Sequence, residues 1–145
     1  MNLLVINGPN LNLLGTREPD VYGSRTLKDI EEEINKEFSS ISIEWFQSNN
    51  EGEIINKIQS CMDSSVDALI INPAAFSHTS VGILDSLKAI SIPKLEVHIS
   101  NTNQREEFRK NKVTAMGSDF LMEGFGPDVY RLAVSNIKFI LEQKK

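Results

Sequence analysis

A chain of 145 residues with 40% hydrophobic and 24% charged side chains has the size and composition of one globular domain, unlike disordered or membrane proteins. The formal net charge of −5 at pH 7 argues against a sequence-independent grip on nucleic acid, which needs a basic surface. A lone cysteine, Cys61, cannot build a disulfide framework, and with only two histidines a dedicated transition-metal site is not expected. The start at LLVIN lacks the basic stretch, apolar stretch and small-residue cleavage site of a signal, and no run approaches membrane-spanning length, so a cytoplasmic protein is expected.

Short apolar runs alternate with segments of 3.6-residue period, the pattern of βαβ units and hence of a parallel sheet. The first run, Leu3 to Ile6, leads into a connection from Asn7 to Arg25 that is much longer than a strand-to-helix loop requires. Gly8, Gly15 and Gly23 permit unusual backbone angles there and Pro9 and Pro19 stiffen the path, so this loop can close over a ligand. Leu27, Ile30, Ile34 and Phe38 then share one helical face, with Thr26 and Asp29 spaced as a capping box.

A second strand spans Ile41 to Gln47, and Asn50 with Glu53 caps a helix turning Ile54, Ile55, Ile58 and Met62 toward the core. The third strand, Ala68 to Ile71, precedes a helix capped by Thr79 or Ser80 and marked by Val81, Leu84 and Leu87. After the fourth strand, Lys94 to His98, QREEFRK predicts a short helix, and Asp119 to Met122 gives a fifth strand of fainter pattern. Gly124, Gly126 and Pro127 open a last helix containing Val129, Leu132, Ile137 and Leu141, whose C-terminal dipole Lys144 and Lys145 complement. With no repeat and no linker, residues 1–145 read as a single α/β domain in three layers around a five-stranded parallel sheet.

Ligands of open parallel sheets sit beyond the carboxyl ends of the strands, so Asn7 to Tyr22, Asn72 to Ser80 and His98 to Asn101 should share one rim. Arg17 and Tyr22 lie in the long first loop, where a guanidinium can stabilise an ionised phenol and make Tyr22 a base. Bringing a tyrosine from its reference pKa of about 10 to neutrality takes roughly 4 kcal/mol. One exposed ion pair cannot supply that; a desolvated arginine, or partial ionisation with proton transfer in the transition state, can. The alternative is a surface tyrosine beside a solvated arginine.

Glu96 and His98, two apart on a strand, leave the same face near its end, so the carboxylate can orient the imidazole or hold it protonated as a general acid. Otherwise His98 is a satisfied histidine at a strand terminus, and His78 in FSHTS hydrogen-bonds its own turn. Asn10, Asn72 and Ser100 can donate to ligand oxygens, although asparagine after a strand is also ordinary turn chemistry. Arg105 and Arg109, four apart, can receive a carboxylate or belong to a solvated charged helix with Glu106 and Glu107. The chain has no GxGxxG after its first strand, no phosphate loop, no HExxH and no GxSxG, which leaves cofactor-free acid and base chemistry.

Taken together, NGPNLNLLGTREPDVYG, FQSNNEGEIINKIQ, INPAAFSHTS, EVHISN, REEFR and GFGPDVYRLA closely resemble the type II 3-dehydroquinate dehydratases in order and spacing over nearly the whole chain. That resemblance implies a flavodoxin-like fold, dodecamers built as four trimers, and dehydration of 3-dehydroquinate to 3-dehydroshikimate in the shikimate or quinate pathway, with neither metal nor Schiff base. It implies Tyr22 as the base taking a proton beside the ketone, Arg17 stabilising its ionised form, and Asn10 stabilising the enolate. His98, supported by Glu96, would protonate the departing hydroxyl. Asn72, His78, Asp85, Ile99, Ser100 and Arg109 match positions that grip substrate, the Ile99 and Ser100 amides holding a carboxylate and Asp85 reaching across a trimer contact. Ala74 stands where glycine is common, Asn50 where histidine is frequent, and Leu84 where an arginine often precedes the aspartate.

Other functions of such a fold demand other strand ends. A flavin mononucleotide carrier needs a Ser/Thr-rich loop where NGPNLNLLG stands, and a phosphoacceptor receiver needs aspartates where Asn7 and Asn72 stand. A serine hydrolase of Ser77, His78 and Asp85 would require adjacent side chains that diverge when extended to converge.

Overall fold

The computed structural model describes residues 1–144, the side chain of Tyr22 also lying outside the description; Lys145, expected at the last helix's dipole, is therefore not among the described residues. Five strands, β1 (Asn2–Asn7), β2 (Ser42–Gln47), β3 (Ala68–Asn72), β4 (Lys94–His98) and β5 (Phe120–Glu123), form one all-parallel sheet in the order β2-β1-β3-β4-β5. This is the flavodoxin-like doubly wound order, whose direction of winding reverses between β1 and β3. The sequence places β4 to the residue; β1 and β3 run one position further, to Asn7 and Asn72, and β5 shifts forward by one. β5 is an edge strand with Phe120 and Leu121 exposed, which explains its fainter pattern.

The pleat sorts the strand residues between two cores. Leu3 and Val5 of β1, Ala68 and Ile70 of β3, and Leu95 and Val97 of β4 pack against α2 (Leu27–Glu37) and α5 (Asp128–Gln143). Leu4 and Ile6 with Leu69 and Ile71 face α3 (Glu51–Gln59) and α4 (Val81–Ala89). These are the three layers expected. The same alternation continues at the strand ends: Asn7 and Asn72 fall on the α5 side, while Glu96 and His98 fall on the opposite one.

The caps behave as the spacing demands. Thr26 and Asp29 form a reciprocal capping box on α2, and the Asn50 side chain accepts from the Glu53 amide at the start of α3. Ser80, rather than Thr79, caps α4 by accepting from the Ile83 amide. Where a histidine is frequent, Asn50 thus does capping work.

Four expectations change. Met62 is 60% exposed, because it sits in a 3₁₀ turn (Ser60–Asp63) whose tighter winding rotates it off the face of Ile54 and Ile58. Val81 opens α4 on its solvent side, the buried stripe running through Ile83, Leu84 and Leu87. QREEFRK is not one helix: non-helical backbone at Arg105, which is extended, and Glu106 separates two 3₁₀ turns, Thr102–Gln104 and Glu107–Lys110. The connection after β1 is not bare loop either, since it holds a 3₁₀ turn (Leu11–Leu13) and the short helix α1 (Pro19–Tyr22), and it buries Leu11 and Leu14. Among the described residues no helix is long and apolar enough to cross a membrane.

Candidate active site

β1 and β3 stay bonded beyond the sheet, the Gly8 amide donating to the Asn72 carbonyl at 2.8 Å. A side chain at Gly8 would put its Cβ 2.4 Å from the Pro73 carbonyl oxygen, so only glycine lets the strands leave the sheet this close together. Above this floor opens a cleft of about 650 Å³, counting the solvent in its mouth. All three rim segments contribute: Asn10 and Arg17 from the first loop, Asn72 and His78 after β3, and His98, Ile99 and Ser100 at the end of β4. Arg105 and Arg109 close the fourth side.

Glu96 is fully buried and His98 nearly so. The His98 Nε2 lies 2.8 Å from Glu96 Oε1; a carboxylate only accepts, so Nε2 carries a proton and Nδ1 is the ring's other site. Two hydroxyls complete the carboxylate's shell, Ser77 Oγ donating to Oε1 at 2.8 Å and Thr114 Oγ1 to Oε2 at 2.7 Å. Such a carboxylate, desolvated but met by donors on both oxygens, is a fixed acceptor for the imidazole.

Asn72 is oriented from behind. Its Oδ1 accepts from the Ala74 amide at 3.1 Å and its Nδ2 donates to the Tyr130 hydroxyl at 2.9 Å, which donates in turn to Asn7 Oδ1 at 2.6 Å. Burial pushes the Tyr130 phenol up, so it stays a neutral hydroxyl able to relay this chain. Ala74 adopts φ 52°, a left-handed conformation that a glycine takes freely and an alanine only with strain, which is why glycine suits this position.

His78 does not bond its own turn. Its Nδ1 donates to the Asn111 carbonyl at 2.7 Å, which leaves Nε2 as the acceptor of the neutral ring. Burial lowers its pKa, opposed by that hydrogen bond and reinforced by His98, Arg109 and Lys112. The ring stacks on His98, centroids 6.4 Å apart, and meets the edge of Phe108. Arg109 reaches Glu106 at 2.6 Å, and Arg105 Nη1 approaches Ser100 Oγ at 3.5 Å. The Glu123 carboxylate ties down both ends of this arginine-bearing segment, accepting from Thr102 at 3.1 Å and pairing with Lys112 at 3.5 Å.

In the first loop Asn10 has φ 69°, and its amide donates to Asn49 Oδ1 at 2.9 Å. Arg17 lines the cleft and pairs with Glu18 at 3.2 Å. The backbone of Tyr22 ends α1; its side chain lies outside the description. Asp85 is exposed on α4 and does not line the cleft of its own chain. Its neighbour Leu84 is buried, its Cδ1 and carbonyl packed at Gly117, so it serves the fold of this chain where a surface arginine would not.

The cleft therefore gathers amide donors, two histidines and three arginines, a set suited to an oxygen-rich anion with a proton-bearing histidine beside it. Thr114, Tyr130 and Asn7 had no local signal in this role, because each reaches its partner across the sheet or from another layer; Ser77 had one, its place in FSHTS beside His78. Among the described residues no three His, Cys, Asp or Glu side chains gather to hold a metal ion.

A flavodoxin-like sheet opening at its switch point onto a histidine backed by a buried carboxylate defines an α/β enzyme. Residues 1–138 match the family described as Dehydroquinase class II. A 3-dehydroquinate dehydratase from Prochlorococcus marinus subsp. pastoris is 52% identical over 139 residues, 94% of each chain. The crystal structure of a type II dehydroquinase from Butyrivibrio crossotus superposes with a TM-score of 0.93 at 44% identity, covering 95% of this chain and 97% of that one. A type II dehydroquinase from Propionibacterium acnes gives 0.88 at 37%, over 92% and 93%. The chain belongs to the class II dehydroquinase family.

Proposed function

We propose that the chain dehydrates 3-dehydroquinate to 3-dehydroshikimate, as a step of the shikimate or quinate pathway, in two stages through an enolate. Tyr22 takes the proton beside the ketone, with the Arg17 guanidinium favouring its ionised form. Asn10 donates to the enolate oxygen as charge develops there. His98, doubly protonated at this stage with its Nε2–H held by Glu96, then gives its Nδ1 proton to the departing hydroxyl and is left as the neutral ring. Asn72, His78, Arg109 and the Ile99 and Ser100 backbone amides grip the substrate's carboxylate and hydroxyls. No cofactor takes part, because the proton removed is acidified by a neighbouring ketone and the leaving group departs with a proton.

The observation that carries this reading is the buried Glu96–His98 pair opening onto a cleft lined by arginines and amides. Because Asp85 faces away from the cleft of its own chain, the reading places it in a neighbour's site, within trimers that build a homododecamer of single-domain subunits in the cytoplasm. A folded monomer would then lack part of its site, and dilution yielding folded monomers with unchanged turnover would contradict this assembly.

The direct test incubates metal-free protein with 3-dehydroquinate and follows the ultraviolet absorbance of the conjugated enone. Turnover should survive borohydride, which would trap a lysine Schiff base. Tyr22→Phe should bind ligand and lose most of its turnover; normal rates in this variant would remove Tyr22 from the mechanism.

A further inference from the structure

The Glu96 carboxylate is held unevenly. Oε1 receives two donors, His98 Nε2 and Ser77 Oγ, each at 2.8 Å, whereas Oε2 receives the Thr114 hydroxyl at 2.7 Å. The terminal torsion of a glutamate is broad, so hydrogen bonds rather than rotamer preference fix the plane of its carboxylate. Contacts at Oε1 alone leave that oxygen a pivot; a donor at Oε2 is what sets the plane, and with it the direction in which His98 is held.

Thr114 is built for that task. It is fully buried and β-branched, which stiffens χ1. It opens a 3₁₀ turn (Thr114–Gly117) seated tightly on α4: a Cβ at Gly117 would lie 2.9 Å from Leu87 Cβ and 3.0 Å from the Leu84 carbonyl oxygen. The hydroxyl is thus referenced to α4. From this geometry we propose that Thr114 is a positioning residue for the proton-donating histidine, acting through Oε2 of Glu96. The inference rests on the role given above to His98.

The experiment compares Thr114→Val, Thr114→Ser and Ser77→Ala with a His98→Ala control, measuring kcat and KM for 3-dehydroquinate and the ¹⁵N spectrum of labelled histidine. With only two histidines in the chain, His98→Ala assigns both rings. Thr114→Val should lower kcat by about 10- to 100-fold with KM nearly unchanged, less than the roughly 10²- to 10⁴-fold that a whole general acid contributes. Its His98 signals should lose the pattern of a ring whose Nε2–H is held on one acceptor, and Thr114→Ser should restore both readouts. Ser77→Ala, which leaves Oε2 bonded, should cost less than Thr114→Val.

A folded Thr114→Val protein with unchanged kcat and an unchanged His98 spectrum overturns the proposal. If His98→Ala itself keeps normal turnover, the role of His98 falls instead. The spectrum of Thr114→Val then still decides whether Thr114 orients the ring.

Discussion

The two halves of the candidate site are anchored in different ways. On the β4 side, Glu96 and His98 stand on a central strand, and every polar atom of the carboxylate meets a buried donor. On the first-loop side, Arg17 is 41% exposed and its carboxylate neighbour, Glu18, has φ 42° in a chain segment turning at Gly15 and Gly23. The contrast teaches that the proposed acid is fixed by the fold, whereas the proposed base is presented by a segment whose backbone hydrogen bonds, among the described residues, run mostly within itself. Chemistry that needs one partner rigid and the other admitted with the substrate can be divided this way.

The sharpest way to break this contrast is to delete one charge on each side. Glu96→Ala leaves buried hydroxyls and the His98 N–H without their acceptor, and unfolding by urea should show a loss of about 3–5 kcal/mol. Arg17→Ala removes a half-exposed ion pair and should change stability by less than about 1 kcal/mol while still lowering turnover. Equal destabilisation by both would mean the loop is as firmly built as the strand.

Behind Asn72, Tyr130→Phe strands Asn7 Oδ1 and Asn72 Nδ2, and the cost of unpaired buried groups sets the expected loss at about 1–3 kcal/mol. KM for substrate should rise more than kcat falls, since Asn72 is assigned to grip; a variant altered only in stability would confine Tyr130 to the core. Smaller still is the relief at Ala74. Ala74→Gly removes left-handed strain of roughly 1 kcal/mol, partly offset by the freer unfolded chain, so the melting temperature should rise slightly.

His78 gives a pH-dependent comparison. Its pKa is held below the ordinary 6.5 mainly by burial, so the unfolded chain binds the proton more readily than the folded one. Its contribution is therefore complete above that value and is lost as the pH falls through the lower, folded-state pKa. Urea midpoints of the wild type and His78→Gln, compared at about pH 5 and about pH 8, should show a shallower dependence in the variant. An identical slope would mean that the ring titrates as if in water.

Much of the fold was legible because the strands are buried on both faces and the helices carry clear stripes: Thr26, Asn50 and Ser80 mark their starts, and Leu3 to Ile6 needs no partner to read as a strand. Met62 and Val81 misled because periodicity cannot say where an α-helix gives way to a tighter turn or where its first turn faces water. QREEFRK has the composition of a helix, yet with Thr102 and Lys112 both tied to Glu123 it forms two turns with the non-helical Arg105 and Glu106 between them. At the site, Glu96 and His98 could be paired from their spacing along one strand. Thr114 and Tyr130 could not, since they arrive from segments 18 and 58 residues from their partners.

The bond from Gly8 to the carbonyl of Asn72 has one more effect. By stitching the two strands together past the edge of the sheet, it denies any guest a wedge between them. Whatever binds must rest on top, against the last residues of the strands, Asn72 and His98, and what the connecting segments hold out, so recognition can be retuned by exchanging those segments while the foundation beneath goes untouched.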